Sequence, residues 1–193
     1  MSISERRGLA TVGVIALGAF GLVTACSVAD SRSPTVPAGY GFGKPATEAE
    51  IAAVNIDVAP TGEGLPPGQG TVEEGAKVYA AKCAACHGPT GTEGPMPRLV
   101  GGQGTLTTHH PLKTVGSYWP YATTLYDYIY RAMPYSAPQS LTAGEVYAVV
   151  AWLLAQNGII AQSAIMDART LPTVRMPNRD GFVPDPRPDI PPR

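Results

Sequence analysis

Three residues in one short stretch have side chains that can bind a metal or form a covalent bond to a cofactor. Cys83 and Cys86 are three positions apart, and His87 follows directly. In a helical turn, both sulfurs can reach the two vinyl groups of one porphyrin as thioethers, and the adjacent imidazole lies under the iron as the proximal ligand. The spacing therefore predicts one covalently bound haem c, with Cys83 and Cys86 as attachment residues and His87 as an iron ligand.

A zinc site is the alternative for the same cysteine pair, because C-x-x-C is also half of a zinc knuckle. Such a site needs a second pair of ligands, and the remaining cysteine, Cys26, lies far upstream. His109 and His110 are direct neighbours, and adjacent histidines seldom chelate one ion tetrahedrally. We therefore expect haem rather than zinc, and exposed loop positions for both histidines.

The composition excludes several classes of protein. The chain has 193 residues, a net charge of −1 and 15% charged residues, so no nucleic-acid partner is expected. Its 22 glycines and 20 prolines exceed a fifth of the chain. That proportion disfavours long uninterrupted helices and a large sheet. We expect one modest domain with irregular flanks.

The N-terminus has the pattern of an export signal, predicted over residues 1–25. Two arginines precede an uncharged, small and apolar stretch from residue 8 to 23. The residues that end at Cys26 are similar to a lipoprotein box, in which this cysteine becomes the lipidated first residue of the mature protein. Cleavage within residues 27–29 and an uncleaved membrane anchor are the alternatives. We expect an exported protein on the periplasmic side, held to the membrane by lipid at Cys26.

Capping patterns predict the helices that position the haem motif. Thr71 opens a capping box, and the helix behind it runs into Cys83. Thr142 opens another, and the apolar pattern behind it is the strongest in the chain, ending at Asn157. One helix thus enters the motif and one closes the domain.

A shorter helix is predicted from 124 to 131, with Leu125, Tyr128 and Ile129 facing inward and Pro134 beyond its end. A further capping box, at Thr47, predicts a short helix or turn before the domain.

These patterns divide the chain into four segments. We predict the signal at 1–25, a tether and pre-domain segment at 26–70, the haem domain at 71–160, and a proline-rich C-terminal arm at 161–193. The arm has seven prolines among 33 residues and alternating charges, so it cannot build its own core.

The arrangement resembles the class I cytochrome c fold, in which an N-terminal helix enters C-x-x-C-H and a C-terminal helix crosses it. The resemblance implies a small all-α domain that wraps one haem. The porphyrin would supply much of the core that a domain of about 90 residues otherwise lacks.

The distal iron ligand is predicted among five methionines. Four are poorly placed, because one lies in the signal, one too close to His87, and two in the irregular tail: Met1, Met96, Met166 and Met176. Met133 lies between two predicted helices and is followed by proline, as is the ligand methionine of small class I cytochromes. This resemblance implies Met133 as the second axial ligand, while the alternative role of any one methionine is to fill an apolar gap.

Three further residues are candidates for contacts with the haem. Pro95 resembles the proline whose carbonyl accepts the second N–H of the proximal histidine in this fold. Arg98 is a candidate partner of a haem propionate, and Trp119 a candidate donor to one. Ordinary packing or solvation is the alternative for each.

Several stretches together resemble one subfamily. They are Gly64–Gly68, Tyr79–Gly88, Leu99–Gly102, Ser117–Ile129 with Arg131–Pro134, and Met176–Phe182. They are similar to the cytochrome subunits of bacterial sulfite dehydrogenases and of the related sulfur dehydrogenase. The single C-x-x-C-H favours the monohaem, sulfite-type version.

The resemblance implies an electron-transfer subunit rather than an enzyme in its own right. Its partner would be a molybdopterin-containing sulfite dehydrogenase subunit that passes electrons singly to this haem, and a downstream cytochrome or oxidase would receive them. We expect no catalytic residues on this chain, and we expect the arm at 161–193 to wrap the dehydrogenase. Two alternatives remain open: a free-standing or tethered carrier for another dehydrogenase or a terminal oxidase, and a haem with an open distal site that performs its own sulfur chemistry.

Overall fold

The computed structural model describes residues 42–184. The helices and strands described below all belong to the unit Ala46–Arg193. The predicted signal and Cys26 lie outside the described residues. Within the described range, no helix combines the length and apolar character needed to cross a membrane.

The protein is mainly helical. It contains α1 (Glu48–Val54), β1 (Gln69–Thr71), α2 (Val72–Lys82), α3 (Ala84–His87), α4 (Ala122–Ala132), α5 (Ala143–Gln156), β2 (Ile165–Asp167) and a 3-10 turn (Leu171–Thr173). All three predicted capping boxes are confirmed, at the N-termini of α1, α2 and α5. The predicted all-α class I cytochrome c fold is confirmed as well.

The centre of the molecule is the crossing of α2 and α5. Ten of the 14 residues of α5 are buried, so this helix is apolar on nearly all sides. At the crossing, a Cβ on Gly75 would lie 2.8 Å from Cβ of Trp152 and closer still to the backbone of Ala148. One turn later, the rings of Tyr79 and Trp152 stack with centroids 3.9 Å apart. The absence of a side chain at Gly75 therefore sets how closely the two helices approach.

Helix α4 packs on the same core with a stripe at helical spacing. Leu125 and Ile129 are buried as predicted, and Tyr126 contacts Tyr147 of α5 with centroids 4.5 Å apart. Tyr128, which we expected to face inward, is 45% exposed. The prediction for Tyr128 was wrong because this residue falls just outside the buried stripe of α4.

The segment after α5 folds back onto the domain. Strand β2 pairs antiparallel with β1, with Gly70 opposite Met166. Leu171 and Met176 are buried at 0% and 1% exposure. Residues 161–184, which have little apolar pattern of their own, thus share the core of the domain because β1, α5 and α4 supply the surface on which they pack.

Candidate haem-binding site

One helical turn holds the two cysteines and the histidine together. Cys83 ends α2 and precedes α3, and its carbonyl accepts the N–H groups of Cys86 and His87 at 3.1 and 3.0 Å. Cys83 is half-buried and Cys86 is exposed. The turn presents two sulfurs and one imidazole from five consecutive residues, which is the donor set of a haem c attachment.

The thiol of Cys83 lies against the core. Burial raises its pKa to about 11, and the nearby Cys86 adds a smaller effect in the same direction.

The imidazole of His87 is oriented by the backbone. Its Nδ1 lies 2.8 Å from the carbonyl oxygen of Pro97. A carbonyl only accepts, so Nδ1 carries the proton and Nε2 keeps its lone pair, which is the tautomer that a metal ligand needs. The predicted acceptor, Pro95, was wrong. The sequence offers two prolines two positions apart, and the course of the intervening loop decides between them.

That loop is held tightly against the haem motif. The hydroxyl of the buried Tyr79 donates to the carbonyl of Gly88 at 2.9 Å. The N–H of Met96 donates to the carbonyl of Cys86 at 3.0 Å, and the N–H of Leu99 to that of Gly91 at 2.8 Å. Backbone hydrogen bonds thus return the chain to the histidine within ten residues.

Met133 lies at the C-terminal end of α4, where its N–H donates to the carbonyl of Ile129 at 3.0 Å. The residue is half-buried and contacts the core. Met166 and Met176 are buried in packing, and Met96 is 51% exposed. Among the methionines of residues 42–184, Met133 combines partial burial with a position at the end of a helix. Its role as the second ligand stays a prediction.

The end of α4 is anchored next to this methionine. The guanidinium of Arg131 contacts the carboxylates of Asp127 at 2.8 Å and Asp57 at 2.6 Å. Asp127 also accepts the N–H of Val58 at 2.9 Å. The hydrogen bonds that Arg131 donates to both carboxylates, that to Asp127 first, raise the pKa of Arg131, which keeps its charge. These contacts fix the last turn of α4 against the segment that precedes β1.

The weaker candidates have different surroundings. Trp119 is half-buried and packs edge-on to Tyr128, with centroids 5.7 Å apart. Arg98 is exposed, and so are His109 and His110. Contacts of Arg98 and Trp119 with the haem stay predictions.

Two of the stretches that carry the subfamily resemblance contact each other: Ser117–Ile129 and Met176–Phe182. The side-chain amide of Asn178 donates to the carbonyl of Tyr118 at 2.8 Å, and the guanidinium of Arg179 lies over the ring of Tyr121 at 4.1 Å. The rings of Tyr118 and Phe182 meet edge to face at 5.3 Å. The tail motif therefore covers the tyrosine–tryptophan stretch that leads into α4.

Sequence reasoning treated Asn157 as no more than the end of a helix. In the structure it is buried, and its side chain binds the segment that follows the histidine loop. No local pattern indicates this, because its partners are backbone groups more than 50 residues away in the sequence.

The donors fit a haem better than a zinc ion. Within residues 42–184, no group of three or more His, Cys, Asp or Glu side chains is arranged to hold a metal. The two thiols on one turn, the oriented imidazole and the helix crossing behind them define a c-type cytochrome.

Comparisons with known proteins agree with this class. Residues 70–153 match the family model described as cytochrome C oxidase, cbb3-type, subunit III. The structure is similar to a chain in the crystal structure of the sulfane dehydrogenase SoxCD from Paracoccus pantotrophus, with a TM-score of 0.70 and 43% identity over 77% of this chain and 73% of that chain. No curated protein matches the chain. The chain belongs to the c-type cytochrome family, and its cofactor is one covalently bound haem c.

Proposed function

We propose that this cytochrome is the electron-transfer subunit of a sulfur-compound dehydrogenase. It accepts single electrons from a molybdopterin-containing subunit that oxidises sulfite or a related sulfur compound, and it passes them to a downstream cytochrome or oxidase. The observation that carries the proposal is the 43% identity to a chain in the structure of a sulfane dehydrogenase. Electron transfer itself follows from the class of protein.

The bound haem supplies a reversible one-electron change at its iron. Cys83 and Cys86 would hold the porphyrin covalently, and the imidazole of His87 and the thioether of Met133 would ligate the iron. Thioether ligation favours the ferrous state and raises the potential, which suits an acceptor of electrons from a dehydrogenase. With His87 and Met133 as its ligands, the iron would offer no position to a sulfur compound, and the oxidation would belong to the partner subunit.

The periplasmic location that we propose is supported by the covalent attachment of haem c. Haem c is joined to exported chains outside the bacterial cytoplasm, and residues 1–25 have the pattern of a secretion signal. We propose that the mature protein begins at Cys26, carries lipid there and faces the periplasm. Mass spectrometry of the mature N-terminal peptide distinguishes lipid at Cys26 from cleavage further along.

The test uses the native complex. After purification with its partner, the identity and metal content of the partner are determined, and sulfite is added while the haem absorbance is followed. We expect a molybdenum-containing partner and reduction of the haem by sulfite in the complex, but no reduction in the isolated cytochrome. Reduction of the isolated cytochrome would instead support an open distal site with its own sulfur chemistry.

A free-standing carrier is the second candidate, because the matching family model is named for a subunit of a terminal oxidase. That function predicts a cytochrome that purifies without a dehydrogenase and is oxidised rapidly by membranes containing a terminal oxidase. Stable co-purification with a molybdenum subunit would contradict it.

A further inference from the structure

Asn157 is a buried hydrogen-bonding centre at the C-terminal end of α5. Its side-chain oxygen accepts the N–H of Gly101 at 2.9 Å, and its side-chain nitrogen donates to the carbonyls of Leu99 at 3.2 Å and Leu153 at 2.8 Å. The residue is 8% exposed. Every polar atom of the amide therefore has a partner, and two of the three partners lie in one short loop segment.

The side-chain amide of Asn157 forms hydrogen bonds to the backbone on both sides of Val100. By binding the carbonyl of Leu99 and the N–H of Gly101, it pairs with the backbone as a neighbouring strand would. Gly101 has a φ of +93°, a conformation that a residue with a side chain rarely adopts. The turn that presents both backbone groups to Asn157 thus depends on glycine at 101.

The side-chain amide of Asn157 is closely packed. A Cβ on Gly116 would overlap the side chain of Asn157. The side chain of Gln103 donates to the backbone carbonyl of Asn157 at 2.8 Å. The side chain is confined on one face by Gly116, and the loop is tied to the same residue a second time through Gln103.

Residues 99–101, which Asn157 binds, follow closely after Pro97, the residue that orients His87. Pro97, whose carbonyl lies 2.8 Å from Nδ1 of His87, is two residues before Leu99. Leu99 is fixed at its N–H by Gly91 and at its carbonyl by Asn157. The carbonyl of Pro97 is therefore held between the haem turn and an anchor on α5.

We propose that Asn157 is a positioning residue for the proximal side of the haem, because it holds the carbonyl of Pro97 in place to accept the hydrogen bond from His87. This inference rests on the proposed role of His87 as an iron ligand. A carbonyl held at Nδ1 makes the imidazole a more basic ligand and stabilises the ferric state. Loosening the carbonyl weakens this effect, so the midpoint potential rises.

The test compares two variants on the same helix in the haem-loaded protein. Asn157→Leu removes every side-chain hydrogen bond to the loop. Tyr147→Phe is the control, because the hydrogen bond that it removes from α5 goes to the carbonyl of Pro66, at 2.9 Å, and not to the loop at residues 97–103. Midpoint potentials come from optical redox titration, and exchange of the His87 ring N–H from NMR of the ferrous protein.

We expect Asn157→Leu to have a more positive midpoint potential and faster exchange of the His87 ring N–H. Tyr147→Phe should lower the melting temperature but leave both properties as in the parent. If Asn157→Leu fails to fold, Asn157→Ser serves the same comparison, because its smaller polar side chain leaves room for water at the freed backbone groups.

Two results would overturn the inference. An Asn157 variant with a lower melting temperature but an unchanged potential and exchange rate would show that the residue only stabilises the fold. A parent protein whose NMR spectrum shows no iron-bound histidine would refute the ligand assignment, and with it this inference. The second result concerns the parent alone, so the two failures are distinguishable.

Discussion

At the scale of residues, the site consists of a few side chains whose positions are fixed by hydrogen bonds and ion pairs. The turn at Cys83 fixes both sulfurs, the carbonyl of Pro97 fixes the tautomer of His87, and the ion pairs of Arg131 fix the helix end that carries Met133. A rigid set of ligands suits electron transfer, because the iron then changes charge with little movement around it. Met133 is the predicted ligand that the sequence supports least directly.

Substitution of Met133 tests the second ligand. We expect Met133→Ala to abolish the methionine–iron charge-transfer band of the oxidised spectrum. The midpoint potential should fall by an appreciable part of the roughly 0.8 V range over which axial ligands set haem potentials. Met96→Ala is the matched control, because Met96 is 51% exposed, and it should leave spectrum and potential unchanged. Persistence of the band in Met133→Ala would exclude Met133 as the ligand.

At the scale of elements, sequence patterns identified the helices but not their contacts. The capping boxes at Thr47, Thr71 and Thr142 are local, so they located three helix N-termini correctly. The sequence pattern wrongly predicted Tyr128 to be buried, because this residue lies just beside the apolar face of α4. Pro97 and Asn157 were missed, because their roles depend on a loop whose course no local pattern records.

The crossing of α2 and α5 reverses the usual effect of a glycine in a helix. Replacement of glycine by alanine within a helix ordinarily stabilises it by about 1 kcal/mol. At Gly75, the new Cβ would overlap the backbone of Ala148. Forcing the helices apart costs about 1–3 kcal/mol in a packed core. We therefore expect Gly75→Ala to lower the free energy of unfolding, measured by chemical denaturation of the haem-loaded protein.

Gly144→Ala is the control for this effect, because its Cβ would meet only the carbonyl oxygen of Gln69, at 3.3 Å. It also places alanine in the first turn of α5, the other helix of the same pair. We expect its unfolding free energy to stay near that of the parent. Equal stability in the Gly75 and Gly144 variants would contradict the close helix contact.

At the scale of the whole molecule, the segment after α5 has two parts with different roles. Residues 161–184 add a strand and buried side chains to the domain, whereas Phe182 and Val183 near the end of this range are 51% and 84% exposed. Its composition indicated a segment unable to build its own core. Composition could not show that β1, α5 and α4 provide the surface on which it packs. We propose that the exposed end, with residues 185–193, contacts the dehydrogenase subunit.

Two truncations separate these roles. Ending the chain after Ile160 removes β2 and the buried Met166, Leu171 and Met176. Each buried side chain of this size contributes about 1.5–3 kcal/mol, so we expect a large loss of thermal stability. Ending it after Gly181 keeps these residues but removes the exposed end. We expect only a small loss of melting temperature, from the missing edge contact of Phe182 with Tyr118. Co-purification with the dehydrogenase should be weaker, measured by quantitative pull-down from cells that express both subunits. Co-purification at the level of the full chain after the shorter truncation would refute a role of the exposed end in docking, and would leave the folded surface of residues 46–181 as the contact.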